Sequence, residues 1–205
     1  MTLPVGLLTL QGDYEKHRQA FAALGRETCG VRRPEELDRI ACLVIPGGES
    51  TTLTRLADRV GLREPLVRFA AERPVMGTCA GLIMLARALV GEKHADFGVE
   101  PFGVLDCRVQ RNAYGRQIDS FTAAVEMARL DGSAEPFPGV FIRAPRIVET
   151  GPGVEVVATH AGDAVAVRQG HLLGLTFHPE LTGDLRIHRA FLGLMDQESD
   201  GAGLP

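Results

Sequence analysis

The sequence predicts an α/β fold with three layers, α/β/α, built around a mostly parallel central sheet. Short apolar runs alternate with amphipathic helical patterns over roughly the first 90 residues, an order typical of a doubly wound sheet covered on both faces. After Gly103 the pattern changes to closely spaced β-rich runs, which we expect to add antiparallel strands. At 205 residues with 45% hydrophobic residues, the chain has the length for one such domain and is short for two.

The chain opens with a predicted strand and helix. Residues 5–10 form an apolar run closed by Gln11 and Gly12, and Asp13 then begins a pattern of helical spacing. The repeating positions are Tyr14, His17, Phe21 and Leu24. A second apolar run ends near Val31.

A third strand is predicted at 41–45, where Pro46-Gly47-Gly48 ends it. Ser and Thr residues at 50–52 can cap a helix that runs towards Leu56. Pro74 precedes a further short strand at 75–77. Residues 80–89 are then continuously apolar and rich in helix formers, so we expect a buried helix there.

The second half of the chain predicts strands and one closing helix. The β-rich runs lie at 104–109, 121–126, 140–142, 154–160, 164–168 and 172–177. Residues 184–195 show an amphipathic helical pattern, and residues 196–205, rich in Gly, Ser and Pro, predict a flexible tail. We therefore expect a single domain over 1–195 and a tail over 196–205.

Composition excludes several classes of partner. The net charge of -4 comes from 22 basic and 26 acidic residues without a basic block, so nucleic acid is not an expected partner. The apolar stretch 3–10 has no basic residues before it and is followed at once by charges, unlike a signal peptide or a membrane span. We therefore expect a cytoplasmic protein with no membrane partner. The four cysteines show no CxxC pair and are too few to staple a chain of this size, so we expect free thiols.

The strongest chemical signal is Gly77-Thr78-Cys79-Ala80-Gly81, which places a cysteine between a predicted strand and helix. The glycines permit the tight turn of a nucleophile elbow. Free N–H groups in the first helical turn favour a thiolate at this position. The pattern also fits a small buried cysteine in a tight βα turn.

A base for such a nucleophile is available in Thr176-Phe177-His178-Pro179-Glu180. In extended chain, residues two apart point to the same side, so Glu180 would lie beside the His178 ring. Pro179 disfavours helical backbone at His178 and supports that geometry. A surface turn is the alternative, but a cysteine elbow and a His-x-Glu pair in one chain favour a Cys-His-Glu triad.

A third signal is Pro46-Gly47-Gly48-Glu49 at the end of a predicted strand. Glycines expose backbone N–H groups that suit stabilisation of an oxyanion, and Ala80 N–H would be a second donor. An ordinary loop and a phosphate cradle are alternatives, although the chain lacks G-x-x-x-x-G-K-[ST].

The remaining histidines and cysteines suggest no metal site. The histidines are dispersed, and neither H-E-x-x-H nor paired-cysteine spacing accompanies them. They are His17, His94, His160, His171 and His188. Cys29, Cys42 and Cys107 lie in or beside predicted strands, where buried apolar thiols are expected.

In this order along the chain, these motifs resemble those of class I, triad-type glutamine amidotransferases, and more narrowly those of the glutaminase subunits of pyridoxal 5'-phosphate synthases. The narrower resemblance rests on Leu10-Gln11-Gly12 with His17 nearby, Pro46-Gly47-Gly48-Glu49-Ser50-Thr51-Thr52, Gly77-Thr78-Cys79-Ala80-Gly81-Leu82, Arg111-Asn112-Ala113-Tyr114-Gly115-Arg116-Gln117, Phe141-Ile142-Arg143-Ala144-Pro145 and Thr176-Phe177-His178-Pro179-Glu180-Leu181. The arginine-rich run and the Gly-Gly-Glu-Ser run are the most specific to this branch.

The resemblance implies roles for particular residues. Cys79 would be the nucleophile, His178 the base and Glu180 the group that orients it. The implied glutamine-binding positions are Gly47, Gly48, Glu49, Arg111, Ile142 and Arg143. Gln11 corresponds to a position near the oxyanion hole and the partner interface.

The resemblance also implies an activity and a partner. The chain would hydrolyse L-glutamine and pass the ammonia to a pyridoxal 5'-phosphate synthase subunit in a hetero-oligomer. It would bind no cofactor, since pyridoxal phosphate would form on the partner. Two alternatives are the glutaminase subunit of imidazole glycerol phosphate synthase, which should lack the arginine-rich run, and a non-catalytic docking module on the same fold.

Overall fold

The computed structural model describes residues 3–91, 99–111 and 120–201. Strands and helices alternate in the first part of the chain. These elements are β1 (Val5–Leu8), α1 (Tyr14–Ala23), β2 (Thr28–Val31), β3 (Cys42–Ile45), α2 (Ser50–Arg59), α3 (Arg63–Glu72), β4 (Val75–Thr78) and α4 (Ala80–Leu85), with a 3-10 helix at Pro34–Arg39.

The second part of the described chain is mostly β-structure and ends in a helix. Its elements are β5 (Ala86–Val90), β6 (Leu105–Gln110), β7 (Ser120–Val125), α5 (Ala128–Asp131), β8 (Phe137–Ile142), β9 (Arg146–Thr150), β10 (Glu155–His160), β11 (Asp163–Gln169), β12 (Leu172–Leu175) and α6 (Arg186–Gly201), with a 3-10 helix at Pro179–Leu181.

The central sheet has seven strands in the order β10-β11-β12-β4-β3-β1-β2. β1, β2, β3, β4 and β12 pair in parallel, whereas β10 and β11 add antiparallel pairs at one edge. The predicted α/β class, with a mostly parallel sheet and antiparallel additions, is confirmed. β4 and β12 are parallel neighbours with Thr78 opposite Leu175, so the residues that follow these two strands meet at one edge of the sheet.

Alternate residues of the central strands enter two separate cores, because neighbouring side chains point to opposite faces of a sheet. On β3, Leu43 packs into the core beneath α2, α3 and α4. Val44, the next residue, packs on the other face with Phe21 of α1 and Phe191 of α6. The sheet is therefore the middle layer of a three-layer α/β/α architecture.

Two smaller sheets lie outside the central one. β5, β6 and β9 form the first, and β7 and β8 form the second. The second holds part of the candidate site, because the Val140 carbonyl on β8 accepts a 2.8 Å hydrogen bond from the His178 N–H.

The prediction of one helix over residues 80–89 is wrong. α4 ends at Leu85, and Ala86 leaves the helix with φ -53° and ψ 152°. Residues Ala86–Val90 instead pair with β6 as strand β5. Arg87 on this strand forms ion pairs with Asp106 at 2.7 Å and Glu149 at 3.0 Å. Strand pairing, which is a tertiary interaction, overrides the local helical preference of this segment.

Several further elements differ from the predictions. α3 and β9 were not predicted, and α6 begins two residues later than expected, where the Asp184 side chain accepts a 3.0 Å hydrogen bond from Arg186 N–H. Helical backbone continues to Gly201, into the segment predicted as a tail. Within the described residues, no helix combines the length and apolar composition that a bilayer crossing needs.

Candidate active site

Cys79 lies at a sharp turn between β4 and α4. Its backbone has φ 49° and ψ -100°. Residues other than glycine rarely adopt such a positive φ. Two glycines make the turn possible, because a Cβ on Gly77 would overlap the Gly81 backbone and a Cβ on Gly81 would overlap the Ile45 carbonyl. The predicted elbow geometry is present at this position.

The elbow holds the Cys79 side chain at the carboxyl edge of the sheet. Cys79 N–H donates a 2.8 Å hydrogen bond to the Leu175 carbonyl on the neighbouring strand. Its Sγ lies 3.8 Å from the Ile142 carbonyl oxygen, and only 6% of the residue is exposed. The thiol is thus enclosed but reaches the pocket described below.

His178 and Glu180 form a buried pair directly after β12. His178 is extended, with φ -108° and ψ 92°, and Pro179 opens a short 3-10 helix. His178 Nδ1 lies 2.7 Å from Glu180 Oε1. The carboxylate side chain is fully buried and that of His178 is 10% exposed. The predicted contact between residues two apart is therefore present in the structure.

Electrostatics favour a charged imidazole in this pair. Burial alone would lower the pKa of His178, but hydrogen bonds with Cys79 and Glu180 outweigh it and raise the pKa to about 10. Burial works against the charged form of Glu180, yet the adjacent histidines hold its pKa below the usual value. The arrangement stabilises an imidazolium next to an ionised carboxylate.

A pocket of about 310 Å³ opens in front of Cys79 and His178. It collects most of the predicted site residues on one concave surface. The lining residues are Gln11, Gly48, Glu49, Ser50, Cys79, Ile83, Arg111, Ile142, Arg143 and His178. Of these, Ser50 and Ile83 were not predicted. Ala80, Gly47 and Glu180, which were also predicted, are not among the lining residues.

The Gly47-Gly48 turn is packed against two side chains of the site. A Cβ on Gly47 would overlap His178 Cε1, and a Cβ on Gly48 would overlap Gln11 Oε1. Gln11 Oε1 also accepts a 2.9 Å hydrogen bond from Glu49 N–H. Both glycines are therefore required by close approach, in addition to the exposed N–H groups expected from sequence.

Arg111 and Glu49 provide opposite charges in the pocket. Arg111 Nη2 lies 3.8 Å from Glu49 Oε1, and the arginine side chain is 15% exposed. Burial lowers the pKa of Arg111, but the guanidinium stays charged at physiological pH. Glu49 also caps α2 by accepting from the N–H groups of Thr51 at 3.1 Å and Thr52 at 2.7 Å. That second role of Glu49 was not predicted.

Arg143 lines the pocket in a left-handed conformation, with φ 42°. The sequence placed it in the site but gave no sign of this backbone geometry. Of the arginine-rich run that begins at Arg111, residues 112–117 lie outside the described residues. Among the residues that the structure does describe, no cluster of His, Cys, Asp and Glu suited to a metal ion is found.

Sequence reasoning missed two histidines behind the site. His17 and His188 are both fully buried, and His17 Nε2 lies 3.3 Å from Glu180 Oε2. The signals in the sequence are that His17 lies on the otherwise apolar face of α1 and follows the Leu10-Gln11-Gly12 motif. Its contact with the far end of the chain is not encoded in any local pattern.

Comparison with known proteins gives a consistent result. A family model described as the SNO glutamine amidotransferase family matches residues 7–197. A relative from Pelotomaculum thermopropionicum, named pyridoxal 5'-phosphate synthase subunit PdxT, is 50% identical over 191 residues, covering 93% of this chain and 94% of the relative. A relative of the same name from Thermotoga maritima is 47% identical over 194 residues, covering 94% of this chain and 100% of the relative.

Solved structures agree with these matches. A crystal structure described as a glutamine amidotransferase is 44% identical and aligns with a TM-score of 0.85, covering 94% of this chain and 98% of the other. PurLQS from Thermotoga maritima aligns with a TM-score of 0.67 at 16% identity, covering 94% of this chain and 99% of that chain. The latter likeness concerns the fold alone.

Proposed function

This chain belongs to the SNO glutamine amidotransferase family, and we propose that it hydrolyses L-glutamine with Cys79, His178 and Glu180. The family expected from the motifs is thereby confirmed, and with it the class of enzyme. The observation that carries the assignment of roles is the 2.7 Å contact between His178 and Glu180 beside the enclosed Cys79. Nucleophile, base and orienting group occur together, as acyl transfer requires.

In the first half-reaction the Cys79 thiol passes its proton to His178 Nε2, and the resulting thiolate attacks the side-chain amide carbon of glutamine. The carbonyl π electrons move to oxygen and form a tetrahedral oxyanion. When the carbonyl re-forms, the C–N bond breaks and His178 gives its proton to the departing nitrogen. The products are ammonia and a glutamyl thioester on Cys79.

In the second half-reaction water attacks the thioester carbon. His178, now neutral, takes a proton from that water as it attacks. The C–S bond breaks, the Cys79 sulfur leaves with the bonding pair, and glutamate is released. Protons and electrons balance without a cofactor, because the overall reaction is an amide hydrolysis.

Glu180 fixes which nitrogen of His178 faces the thiol. An ionised carboxylate only accepts hydrogen bonds, so His178 Nδ1 carries a proton and Nε2 is left for proton exchange at Cys79. The same carboxylate stabilises the imidazolium that the reaction needs.

Backbone N–H groups are assigned to the oxyanion. Ala80 is the first residue of α4, so its N–H lacks an intrahelical acceptor. The Gly47-Gly48 turn supplies the second donor in this proposal. The Gly47 carbonyl oxygen lies against Gly12, where an added Cβ would overlap it.

Recognition of the amino-acid end of glutamine is assigned to charged groups of the pocket. Arg111 would bind the α-carboxylate, and Glu49 would accept from the α-amino group. Ile142 and Arg143 would hold the chain of the substrate at the wall nearest Cys79. Gln11 is assigned to the rim, where it holds the Gly48 turn.

In this proposal the ammonia passes to a pyridoxal 5'-phosphate synthase subunit, with which this chain would form a hetero-oligomer. The proposal is supported by the names of the curated relatives, which are subunits of that synthase. The pyridoxal phosphate itself would form on the partner. A cytoplasmic location is proposed as well, supported by the free cysteines of the described chain.

A glutaminase assay with and without the synthase subunit tests this function. We expect glutamate release from the chain, with a higher kcat when the partner is present, and pyridoxal phosphate formation by the mixture. A flexible Gly47-Gly48 peptide turned by the partner accounts for such activation, since one oxyanion donor contributes about a hundredfold to a thousandfold in kcat. Absence of glutamate release under both conditions would contradict the proposal.

A further inference from the structure

A pair of buried histidines joins two helices behind Glu180. His17 lies on α1 and His188 on α6, and both are fully buried. His17 Nδ1 and His188 Nε2 are 3.0 Å apart, and Phe21 closes the pair with an edge contact to the His188 ring at 5.1 Å. Polar side chains this deep normally have a specific reason to be retained.

One atom of His17 lies close to both Glu180 and Thr78. Its Nε2 lies 3.3 Å from Glu180 Oε2 and 3.4 Å from Thr78 Oγ1. Thr78 directly precedes Cys79, and Glu180 is the partner of His178. One nitrogen therefore adjoins the strand end that carries the thiol and the carboxylate that orients the base.

The contacts determine where the protons lie in the pair. A lone pair on His17 Nε2 would repel the Glu180 carboxylate, so this nitrogen carries the hydrogen. In a neutral ring Nδ1 is then an acceptor, and His188 Nε2–H donates to it. His188 Nδ1 is left as an acceptor with no partner among the described residues.

The Glu180 contact is electrostatic more than it is a regular hydrogen bond. Glu180 Oε2 is buried and has no aligned donor in the described part of the chain. His17 Nε2–H, at 3.3 Å, is a polar hydrogen on that side of the carboxylate. Glu180 Oε1 meanwhile faces His178 at 2.7 Å. The carboxylate is held between two histidines.

Burial keeps both histidines of the pair neutral. Burial lowers the pKa of His17, against the opposing influence of Glu180 and Asp13, while His178 acts in the same direction as burial. Burial and the nearby His17 lower the pKa of His188 to about 3. A neutral His17 orients Glu180 without cancelling its charge, which stays available to the imidazolium of His178.

We propose that His17, held by His188, is a positioning residue that fixes the Glu180 carboxylate relative to the Thr78–Cys79 strand end. The inference rests on the proposed function, since it assumes that Cys79, His178 and Glu180 are the catalytic residues. Without His17 the carboxylate is free to rotate away from His178 Nδ1. The imidazolium then loses a partner, and kcat falls while the substrate pocket is unchanged.

Two substitutions of His17 distinguish the effect of losing its N–H donor from the effect of changing its packing. His17→Leu removes the N–H at similar volume, whereas His17→Gln keeps an N–H donor at a similar reach. Phe21→Leu is the matched control, because it loosens the apolar packing around His188 and leaves every hydrogen-bonding group of the pair in place. Cys79→Ala reports independently on the proposed function. Each full-length variant is assayed for glutaminase kinetics with the synthase subunit, for thermal stability, and for the His178 pKa by NMR of the ring nitrogens.

We expect His17→Leu to lower kcat about tenfold to a hundredfold with little change in KM, and to lower the His178 pKa from its value of about 10. His17→Gln should recover most of both. Phe21→Leu should lower the melting temperature and leave the His178 pKa unchanged. If His17→Leu does not fold, His188→Leu replaces it and should shift kcat and the His178 pKa in the same directions.

A folded His17→Leu or His188→Leu variant with wild-type kcat and an unchanged His178 pKa would overturn the positioning role. Equal losses in Leu and Gln variants, tracking stability as in Phe21→Leu, would also overturn it by making the role structural. Glutamine hydrolysis at the wild-type rate by Cys79→Ala would instead overturn the proposed function itself. The two failures are therefore distinguished within one set of measurements.

Discussion

The Cε1 atom of His178 lies against Gly47, in the space that a Cβ at Gly47 would occupy. The base of the proposed mechanism and the turn assigned to the oxyanion are thus in direct contact. Movement of one displaces the other, so the proton-transfer group and the oxyanion donors are positioned together.

Gly47→Ala is expected to reduce activity strongly. The added methyl must displace the His178 imidazole, and a misplacement of about 1 Å costs on the order of a hundredfold in rate. The measurement is kcat for glutamate release. Gly193→Ala is the control, because a Cβ there meets no atom within 4 Å and alanine suits a helix. Equal kcat for the Gly47→Ala variant and wild type would show that the contact does not position the base.

His178→Asn should cost more activity than Glu180→Gln. Asparagine cannot transfer the proton, whereas glutamine only disturbs the tautomer and the charge that support His178. We expect kcat to fall by about a thousandfold or more for the first variant and by a smaller factor for the second. Single-turnover kinetics compare the two. The reverse order would assign the larger role to Glu180.

Stability should fall as pH drops from 6.5 to 5.0. Burial lowers the pKa of His188 to about 3 from an ordinary 6.5, so the unfolded chain takes up a proton in this window and the folded chain does not. The loss from one such group is about 1.5 kcal/mol over this window, because the unfolded histidine is already half protonated at pH 6.5. The raised pKa of His178 acts in the other direction and in another window, since its stabilisation is complete below 6.5 and is lost as pH rises through about 10.

Urea unfolding of His188→Leu at the two pH values tests this effect. The variant should lose less unfolding free energy than wild type between pH 6.5 and 5.0. Val44→Ala, which weakens packing in the same core without removing a titratable group, should show the pH dependence of wild type. An identical pH dependence for His188→Leu and wild type would exclude a buried neutral His188.

Thiol labelling should be selective for Cys79. Burial raises the pKa of Cys42 and of Cys107 to about 12, which leaves about one thiolate in 100,000 at pH 7. Burial also raises the pKa of Cys29. A glutamine-analogue electrophile followed by mass mapping should find Cys79 modified first, and labelling of all four cysteines at one rate would contradict the assignment.

The local parts of the site were predictable from sequence because each depends on a few adjacent residues. Gly77 and Gly81 around Cys79 define an elbow, and Pro179 between His178 and Glu180 defines an extended pair. What brings them together is the parallel pairing of β4 with β12. That pairing joins segments about a hundred residues apart, and no local pattern encodes it.

Long-range contacts also explain which predictions from sequence were wrong or incomplete. Residues 86–89 were predicted as helix because their composition permits either state, and pairing with β6 decides for a strand. The contact between His17 and His188 spans 171 positions in the chain. A histidine on a buried helix face looks like a core residue until its partner on α6 is known.

The central claim is that Cys79 is the nucleophile, and glutamate release by Cys79→Ala tests it most directly. The substitution replaces one small side chain by another in a packed turn, so the variant should fold and dock to the synthase subunit. Cys29→Ala serves as the matched control and should keep wild-type kcat. We predict that Cys79→Ala releases no glutamate above background, while its mixture with the synthase still forms pyridoxal phosphate from an ammonium salt. Glutamate release by Cys79→Ala at the wild-type rate would contradict the account.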